Sequence, residues 1–238
     1  MKKGGLNRRE FLKSAVAGSA VAASTTLPQP ASAQGQPAAT AAAASASPGY
    51  AFLNLEEQAF IEALVDHMVP ADEFSPKGTD VGINIYIDRA LAGGWGKGDR
   101  LYMQGPWKQG APSQGYQLPL TPAELYRVGI AATNAACVKT YGKPFDKISA
   151  DQRQEFLLAW QAGKVTYENG PPPRVFFGIV YQNVMEGMFA DPIYGGNRDK
   201  AGWKMIGFPG VIAVHAQNIE KFRDKKYTAN PVGIGDMS

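Results

Sequence analysis

The segment from Thr121 to Gly142 carries the strongest folding signal in the chain. Thr121 is a favoured N-cap residue, Pro122 suits the first turn of a helix, and Glu124 completes a capping box. Gly142 supplies the stop signal. Residues 128–138 between them are almost wholly apolar. The segment therefore predicts a long helix buried at the centre of the protein.

Other segments repeat the helical spacing of apolar residues, and strand-type runs are scarce. Asn54 with Glu57, and Ser149 with Gln152, give further helix-start signals. Helices are predicted at 54–69, 80–92, 149–162 and 173–189, with a short one near 200–206. The second also alternates like a strand at Ile83, Ile85 and Ile87, although we favour the helix. We therefore expect an all-α fold, a single irregular helical domain over residues 50–225 with long aromatic and Gly-rich loops. A frayed tail is expected at 226–238.

The N-terminus has the pattern of an export leader. Arg8 and Arg9, followed by Phe11 and Leu12, form a twin-arginine motif, and a small, mildly apolar stretch comes next. An A-x-A cleavage site ends this predicted signal peptide, residues 1–33, at Ala31 and Ala33. An uncleaved membrane anchor is the alternative, but no stretch reaches the roughly 18 uninterrupted apolar residues of a spanning helix.

Residues 34–49 are rich in Ala, Ser and Pro and predict a flexible linker. The twin-arginine route carries proteins that have already folded, often around a cofactor. Because this chain has no cofactor motif of its own, the cargo that requires this route is expected to be a partner protein.

Charge and cysteine content exclude several functions. Of 24 Lys and Arg and 21 Asp and Glu, five cations and one anion lie in residues 1–33, which leaves 19 cations and 20 anions. The remainder is nearly neutral, so composition offers no basic excess for nucleic acid. One cysteine and two histidines are too few for a thiolate zinc site or a cysteine-ligated iron–sulfur cluster. No C-x-x-C-H motif for c-type haem is present.

Asp66 with His67, and His215, are the acid–base candidates for an enzyme. Asp66 and His67 are adjacent on a predicted helix and do not face each other, so a satisfied structural histidine is the favoured interpretation. His215 lies in an apolar stretch, where the same applies. Cys137 lies inside the most apolar helix. It is either a buried inert thiol or, as an odd cysteine in an exported protein, an intersubunit disulfide partner.

Two loop regions stand out as candidate partner interfaces. Residues 93–119 are glycine-rich and too long for an ordinary connection, and they carry Trp95, Tyr102, Trp107 and Tyr116. The second region is the run DPIYGGN at 191–197, followed by Trp203 and the turn GFPG with Phe208. It is open to two interpretations, a rigid helix–helix connection or a shaped loop presented to a partner. Its candidate residues are Asp191, Pro192, Tyr194, Gly195, Gly196, Asn197, Trp203 and Phe208.

These motifs resemble one known family. The leader, the run EALVDHMVPAD at 62–72, and DPIYGGN followed by GW and GFPG are similar to the small (gamma) subunit of membrane-bound gluconate 2-dehydrogenase, the subunit 3 family. The resemblance covers about residues 50–212.

The resemblance implies an enzyme of three subunits on the periplasmic side of the inner membrane. Its large flavoprotein subunit binds FAD and oxidises a sugar acid or polyol, and a multihaem cytochrome c subunit passes electrons on. The small subunit holds no cofactor and carries the export signal for the large one through the twin-arginine translocase.

We therefore expect a non-catalytic accessory subunit. An independent periplasmic enzyme that uses Asp66, His67 or His215, and a free-standing sugar-binding domain closed by the aromatic loop, are the alternatives.

Overall fold

The computed structural model describes residues 49–108, 110–111, 114–212 and 216–237. Within these ranges the chain forms eight α-helices and no strand, so the predicted all-α class is confirmed. The helices are α1 (Leu55–Met68), α2 (Gly78–Val81), α3 (Ile83–Ala92), α4 (Pro122–Tyr141), α5 (Ala150–Gln161), α6 (Pro173–Phe189), α7 (Ala201–Ile206) and α8 (Ala216–Lys221). Short 3₁₀ turns lie at Phe145–Lys147, Pro192–Tyr194, Arg198–Lys200 and Ile234–Met237.

Three helices begin at the capping boxes that the sequence predicts. The side chain of Asn54 accepts from the amide of Glu57 and the Glu57 carboxylate accepts from the amide of Asn54, which starts α1. Thr121 with Glu124 and Ser149 with Gln152 do the same for α4 and α5. Each box satisfies amide groups that the first turn would otherwise leave unpaired. Local sequence therefore sets these three starts.

The predicted helix at 80–92 is interrupted at Gly82. This residue is left-handed, with φ of 86°, and it separates α2 from α3. A side chain there would also be crowded, because an added Cβ would lie 2.6 Å from the carbonyl oxygen of Gly195. The break therefore lets the 191–197 loop approach the N-terminus of α3.

An aromatic column holds the long helices together. Successive ring centroids lie 5.0–6.0 Å apart from one end to the other, within the range of favourable aromatic pairing. The column runs through Phe60, Phe145, Phe156, Trp160, Phe176 and Tyr126. It joins α1, α5, α6 and α4 into one core, and all six rings are buried.

The residues just before α1 are fixed to the helical core by a buried carboxylate. Asp88, on α3, is 2% exposed and accepts hydrogen bonds from the amides of Ala51, Phe52 and Leu53 at 2.7–2.9 Å. Arg127 adds a hydrogen bond to the carbonyl of Phe52 and stacks over its ring. Residues 51–53 are therefore clamped to α3 ahead of the first helix.

One expectation about burial is wrong. Helix α4 is not buried all round, because Val128, Ala131, Ala135 and Val138 lie exposed along one face. The frayed tail expected at 226–238 stays a prediction, and within it Val232 pairs with Gly210 in an isolated β-bridge and Asp236 forms an ion pair with Lys200. The apolar periodicity of α4 could not reveal that nothing in the described chain covers its outer face.

Candidate partner interface

The DPIYGGN segment is a rigid connection between α6 and α7. The Asp191 carboxylate accepts from the amide of Ile193, which caps the 3₁₀ turn. Gly195 then adopts φ of 102°, a conformation that favours glycine. Asn197 is fully buried: its amide group donates to the carbonyl of Ala190, and its Oδ1 accepts from the amide of Gly202. These residues thus form a connection between two helices, and their contact with a partner stays a prediction.

Two glycines allow the backbone of this region to lie directly on α6. A Cβ on Gly196 would lie 2.2 Å from the carbonyl oxygen of Gly187, and one on Gly202 would lie 2.2 Å from that of Met188. Real side chains do not tolerate such contacts with backbone. The spacing of the motif is therefore explained by close packing inside the protein.

Trp203 and Phe208 lie side by side but differ in exposure. Their rings meet edge to face at 5.2 Å. Trp203 is 4% exposed and its indole N–H donates to the carbonyl of Phe189, whereas Phe208 is 44% exposed. Of the predicted interface residues here, Gly196, Asn197 and Trp203 are thus internal and shape the region. Tyr194 and Phe208 face solvent, and Asp191, Pro192 and Gly195 are half-buried.

Exposed apolar side chains lie around this framework. They belong to the 192–194 turn, to α7 and the GFPG turn, and to the C-terminal segment at 231–237. The Val232–Gly210 bridge and the Asp191–Ile234 hydrogen bond hold that segment beside the two turns. We call these exposed side chains the motif surface and define it as Ile193, Tyr194, Met205, Ile206, Phe208, Val232, Ile234 and Met237, each at least 37% exposed. A concentration of exposed apolar side chains on a rigid base is typical of a protein-binding site.

Most of the motif surface was not predicted from the sequence. Tyr194 and Phe208 were named as candidates, but the exposed aliphatic residues and the C-terminal contribution were missed. Alternating or helical spacing does not reveal that Ile193 and Ile206 point outward. The one signal that could have found the tail is its content of apolar residues at Val232, Ile234 and Met237.

The aromatic residues of the Gly-rich loop also differ in their exposure to solvent. Tyr102 is 77% exposed and Trp95 is exposed, whereas Trp107 and Tyr116 are half-buried. The hydroxyl of Tyr116 donates to the carbonyl of Leu120, which fastens the end of the loop. Nothing in the described contacts joins this loop to the motif surface, so it remains a second, separate interface candidate.

Asp66 and His67 have different partners and do not form an acid–base pair. The Asp66 carboxylate accepts from Lys77 Nζ at 2.9 Å and from the amide of Thr79 at 2.8 Å. Partial burial opposes its ionisation, but these two donors prevail and keep the pKa of Asp66 below its usual value. His67 Nε2 lies 2.9 Å from Gln154 Oε1, a contact that ties α1 to α5. Asp66 therefore links α1 to the start of α2, and His67 links α1 to α5.

Cys137 is a fully buried thiol on the inner side of α4. Burial raises its pKa to about 12, which disfavours the thiolate that disulfide exchange requires. The buried interpretation therefore fits, and the described conformation offers no accessible sulfur for an intersubunit bridge. His215, the leader with Arg8, Arg9, Phe11, Leu12, Ala31 and Ala33, and residues 34–48 of the linker lie outside the described residues.

A polar network missed by the sequence reasoning lies between α3, α4 and α6. The carboxylate of Glu186 accepts from Tyr86 and Asn183, each at 3.0 Å, and the amide oxygen of Asn183 accepts from Tyr126 at 2.7 Å. Burial, and then the Glu186 charge, raises the pKa of Tyr86 far above its usual value. A permanently protonated Tyr86 donates to a carboxylate, so this network holds the helices in register.

A groove of about 840 Å³ runs along the exposed face of α4. Alanine and valine side chains form its floor, and the exposed ion pair between Lys139 and Glu168 stands at its rim. Its lining includes no residue of the 93–119 loop. The groove therefore does not provide the closed sugar site beneath that loop that the sugar-binding alternative requires.

The described residues contain no group of three or more His, Cys, Asp or Glu side chains placed to hold a metal ion. None of the helices in the described ranges is long and apolar enough to cross a membrane.

Comparison with known proteins identifies the family of the chain. The family described as gluconate 2-dehydrogenase subunit 3 matches residues 55–210, which run from the first residue of α1 to the end of the GFPG turn. Searches of curated proteins and of solved structures found no match. The family description is that of one subunit of a multi-subunit gluconate 2-dehydrogenase. Because the match covers well over half of the sequence, the chain belongs to the gluconate 2-dehydrogenase subunit 3 family.

Proposed function

We propose that the chain is a non-catalytic accessory subunit that binds an FAD-containing dehydrogenase subunit through its motif surface. The observation that carries the proposal is the concentration of exposed apolar side chains on the framework that the family motif builds. Aromatic and aliphatic anchors on a rigid base lose little conformational entropy on binding, which suits a stable subunit contact. FAD and c-type haem belong, on this proposal, to partner subunits.

The proposal includes a role in export. The leader carries Arg8 and Arg9, and the route that such leaders use accepts folded cargo. The chain would bind the flavoprotein in the cytoplasm, and its leader would carry both to the periplasm, where a multihaem cytochrome c subunit completes the complex. The substrate is a sugar acid or polyol handled by the large subunit.

Co-purification tests the interface. The full chain carrying Ile193→Ser, Tyr194→Ser and Phe208→Ser would be co-expressed with the flavoprotein subunit and captured by an affinity tag. All three side chains are more than 40% exposed, so the fold should tolerate the changes. The matched control carries Phe74→Ser and Leu158→Ser, which change apolar residues of comparable exposure outside the motif surface. We expect capture of the flavoprotein to fall about tenfold or more only in the first variant.

Equal capture by both variants would contradict the proposed interface. A parallel variant with Tyr102→Ser and Trp107→Ser tests the Gly-rich loop as the second candidate surface. If that variant alone loses the flavoprotein, the loop is the interface and the motif surface is not.

The rival function is an independent enzyme that uses Asp66, His67 or His215. Two of these residues have structural partners, Lys77 with Thr79 and Gln154 respectively. Replacing His67 and His215 by Gln in the assembled complex should leave its dehydrogenase activity unchanged. Loss of turnover at unchanged assembly would favour the rival.

A further inference from the structure

One short segment of the folded chain carries a net positive charge, whereas the rest of the described chain is net negative. Residues 221–226 contain four cations and one anion, whereas the other described residues contain 15 cations and 19 anions. The segment therefore has a net charge of +3, and the other described residues together have a net charge of −4. We call residues 221–226 the basic segment. It lies beyond the family match, which ends at residue 210.

Local structure gathers these cations at the end of α8. The amide of Phe222 donates to the carbonyl of Asn218, and that of Lys225 donates to the carbonyl of Phe222, so the chain turns tightly after the helix. Asp224 adopts φ of 58° within this turn. Phe222 packs against Tyr227 with ring centroids 4.8 Å apart, which anchors the turn. The four cations consequently project from one compact feature.

The charges of the basic segment are available to a partner. All four cationic residues are exposed, and the salt bridges among the described residues involve other side chains. Lys221 Nζ lies 5.3 Å from the ring of Phe222, a weak contact that leaves the ammonium exposed. Earlier on the same helix, Ile219 is 65% exposed. A short basic feature next to an exposed apolar side chain is typical of contacts with membrane surfaces.

The shape of the feature favours lipid over a macromolecule. A stable protein contact buries about 800 Å² of fitted surface on each partner, and a turn with four flexible side chains offers no such face. Nucleic acid would need a broader basic surface than this six-residue segment offers. A fluid layer of lipid phosphates adapts to a segment this small.

We propose that the basic segment binds the surface of membranes that contain anionic phospholipids. Lys221, Arg223, Lys225 and Lys226 contact the lipid phosphates, and Ile219 enters the interfacial layer. This contact would hold the domain at a bilayer. It does not depend on the proposed flavoprotein partner, because its residues lie outside the motif surface.

Vesicle sedimentation tests the proposal. The full chain would be mixed with vesicles of phosphatidylcholine alone, or with 40 mol% phosphatidylglycerol at about physiological salt. Because the predicted leader is also basic, every protein in the series would carry Gln at Lys2, Lys3, Arg8, Arg9 and Lys13. The test variant replaces the four cations of the basic segment by Gln. The matched control replaces four other exposed cations by Gln, at Lys97, Arg100, Lys108 and Lys143.

The parent protein carries only the leader substitutions. We expect the parent and the control to sediment with the anionic vesicles, whereas the partition coefficient of the test variant should fall about tenfold or more. Arg substitutions at Lys221, Lys225 and Lys226 should preserve binding. Ile219→Ser should weaken binding by a few-fold, about the effect of one apolar side chain.

Three results would overturn the proposal. One is equal binding of the parent to both vesicle types, and another is equal loss in the test variant and the control. The third is displacement by inorganic phosphate at an ionic strength where chloride has no effect, which would assign the segment to free phosphate. Circular dichroism of every variant checks that the fold is retained.

Discussion

The carboxylate of Asp191 accepts a hydrogen bond from the backbone amide of Ile234 at 2.8 Å, across 43 positions of sequence. The other oxygen of the same carboxylate caps the 192–194 turn through Ile193. One side chain of the family motif therefore fixes both the motif loop and the C-terminal segment. The result is that Ile193 and Ile234, both exposed, are held on the same motif surface.

Replacing Asp191 by Ala should release the C-terminal segment. The change removes acceptors for two amides, so we expect a loss of about 1–2 kcal/mol in the free energy of unfolding. Hydrogen exchange of residues 231–237 should become markedly faster, while that of α4 stays the same. Glu220→Ala, which removes one negative charge from exposed α8, serves as the control. Unchanged protection of 231–237 in the Asp191 variant would show that the hydrogen bond does not hold the segment.

Replacement by Ala should change the stability in opposite directions at two glycines, Gly196 in the motif and Gly178 in α6. Gly196→Ala places a Cβ against the carbonyl of Gly187, and we expect it to destabilise by about 1–3 kcal/mol or more. Gly178 lies in α6, where an added Cβ would meet no atom within 4 Å, so Gly178→Ala should stabilise by about 0.5–1 kcal/mol. Denaturant unfolding measures both changes. A neutral Gly196→Ala would mean that the motif loop does not pack closely on α6.

Asp88 should be among the most sensitive polar residues in the domain. Asp88→Ala leaves three amides, those of residues 51–53, without their acceptor, and one of them is fully buried. We expect a loss of about 3 kcal/mol or more. Glu73→Ala, at an exposed position, should change stability by less than about 0.5 kcal/mol. Similar melting temperatures for the two variants would contradict the role of Asp88 as a clamp.

The Cys137 thiol should be inert in the native protein. Because burial excludes reagent and raises its pKa to about 12, we expect no reaction with a disulfide reagent at pH 8 until denaturant is added. A non-reducing gel of the complex should show no thiol-sensitive larger band. Rapid labelling of the folded chain would contradict this prediction and would favour the hypothesis that Cys137 forms an intersubunit disulfide.

Local signals in the sequence predicted the helices well, and long-range packing accounts for what they missed. The capping pairs at Asn54, Thr121 and Ser149 act within three residues, so the sequence reveals them directly. The absence of a side chain at Gly82 leaves room for the carbonyl of Gly195, and that contact joins residues more than a hundred positions apart. No local pattern encodes it.

The candidate site was predicted only in part for the same reason. The motif at 191–197 was found, together with exposed Tyr194 and Phe208. Trp203 was placed at the interface because aromatic residues near turns are common anchors, but its indole N–H reaches the carbonyl of Phe189 and the ring is buried. Which side of a turn faces the core depends on helices far away in sequence.

Export of the flavoprotein tests the central claim most directly. Cells would express the flavoprotein subunit with this chain carrying Arg8→Lys and Arg9→Lys, or with the matched control Lys2→Arg and Lys3→Arg. We predict that the first pair leaves the flavoprotein in the cytoplasm, folded and loaded with flavin, and that the control delivers it to the periplasm. Arrival of the flavoprotein in the periplasm with both variants would contradict the account, because this chain would then not be its carrier.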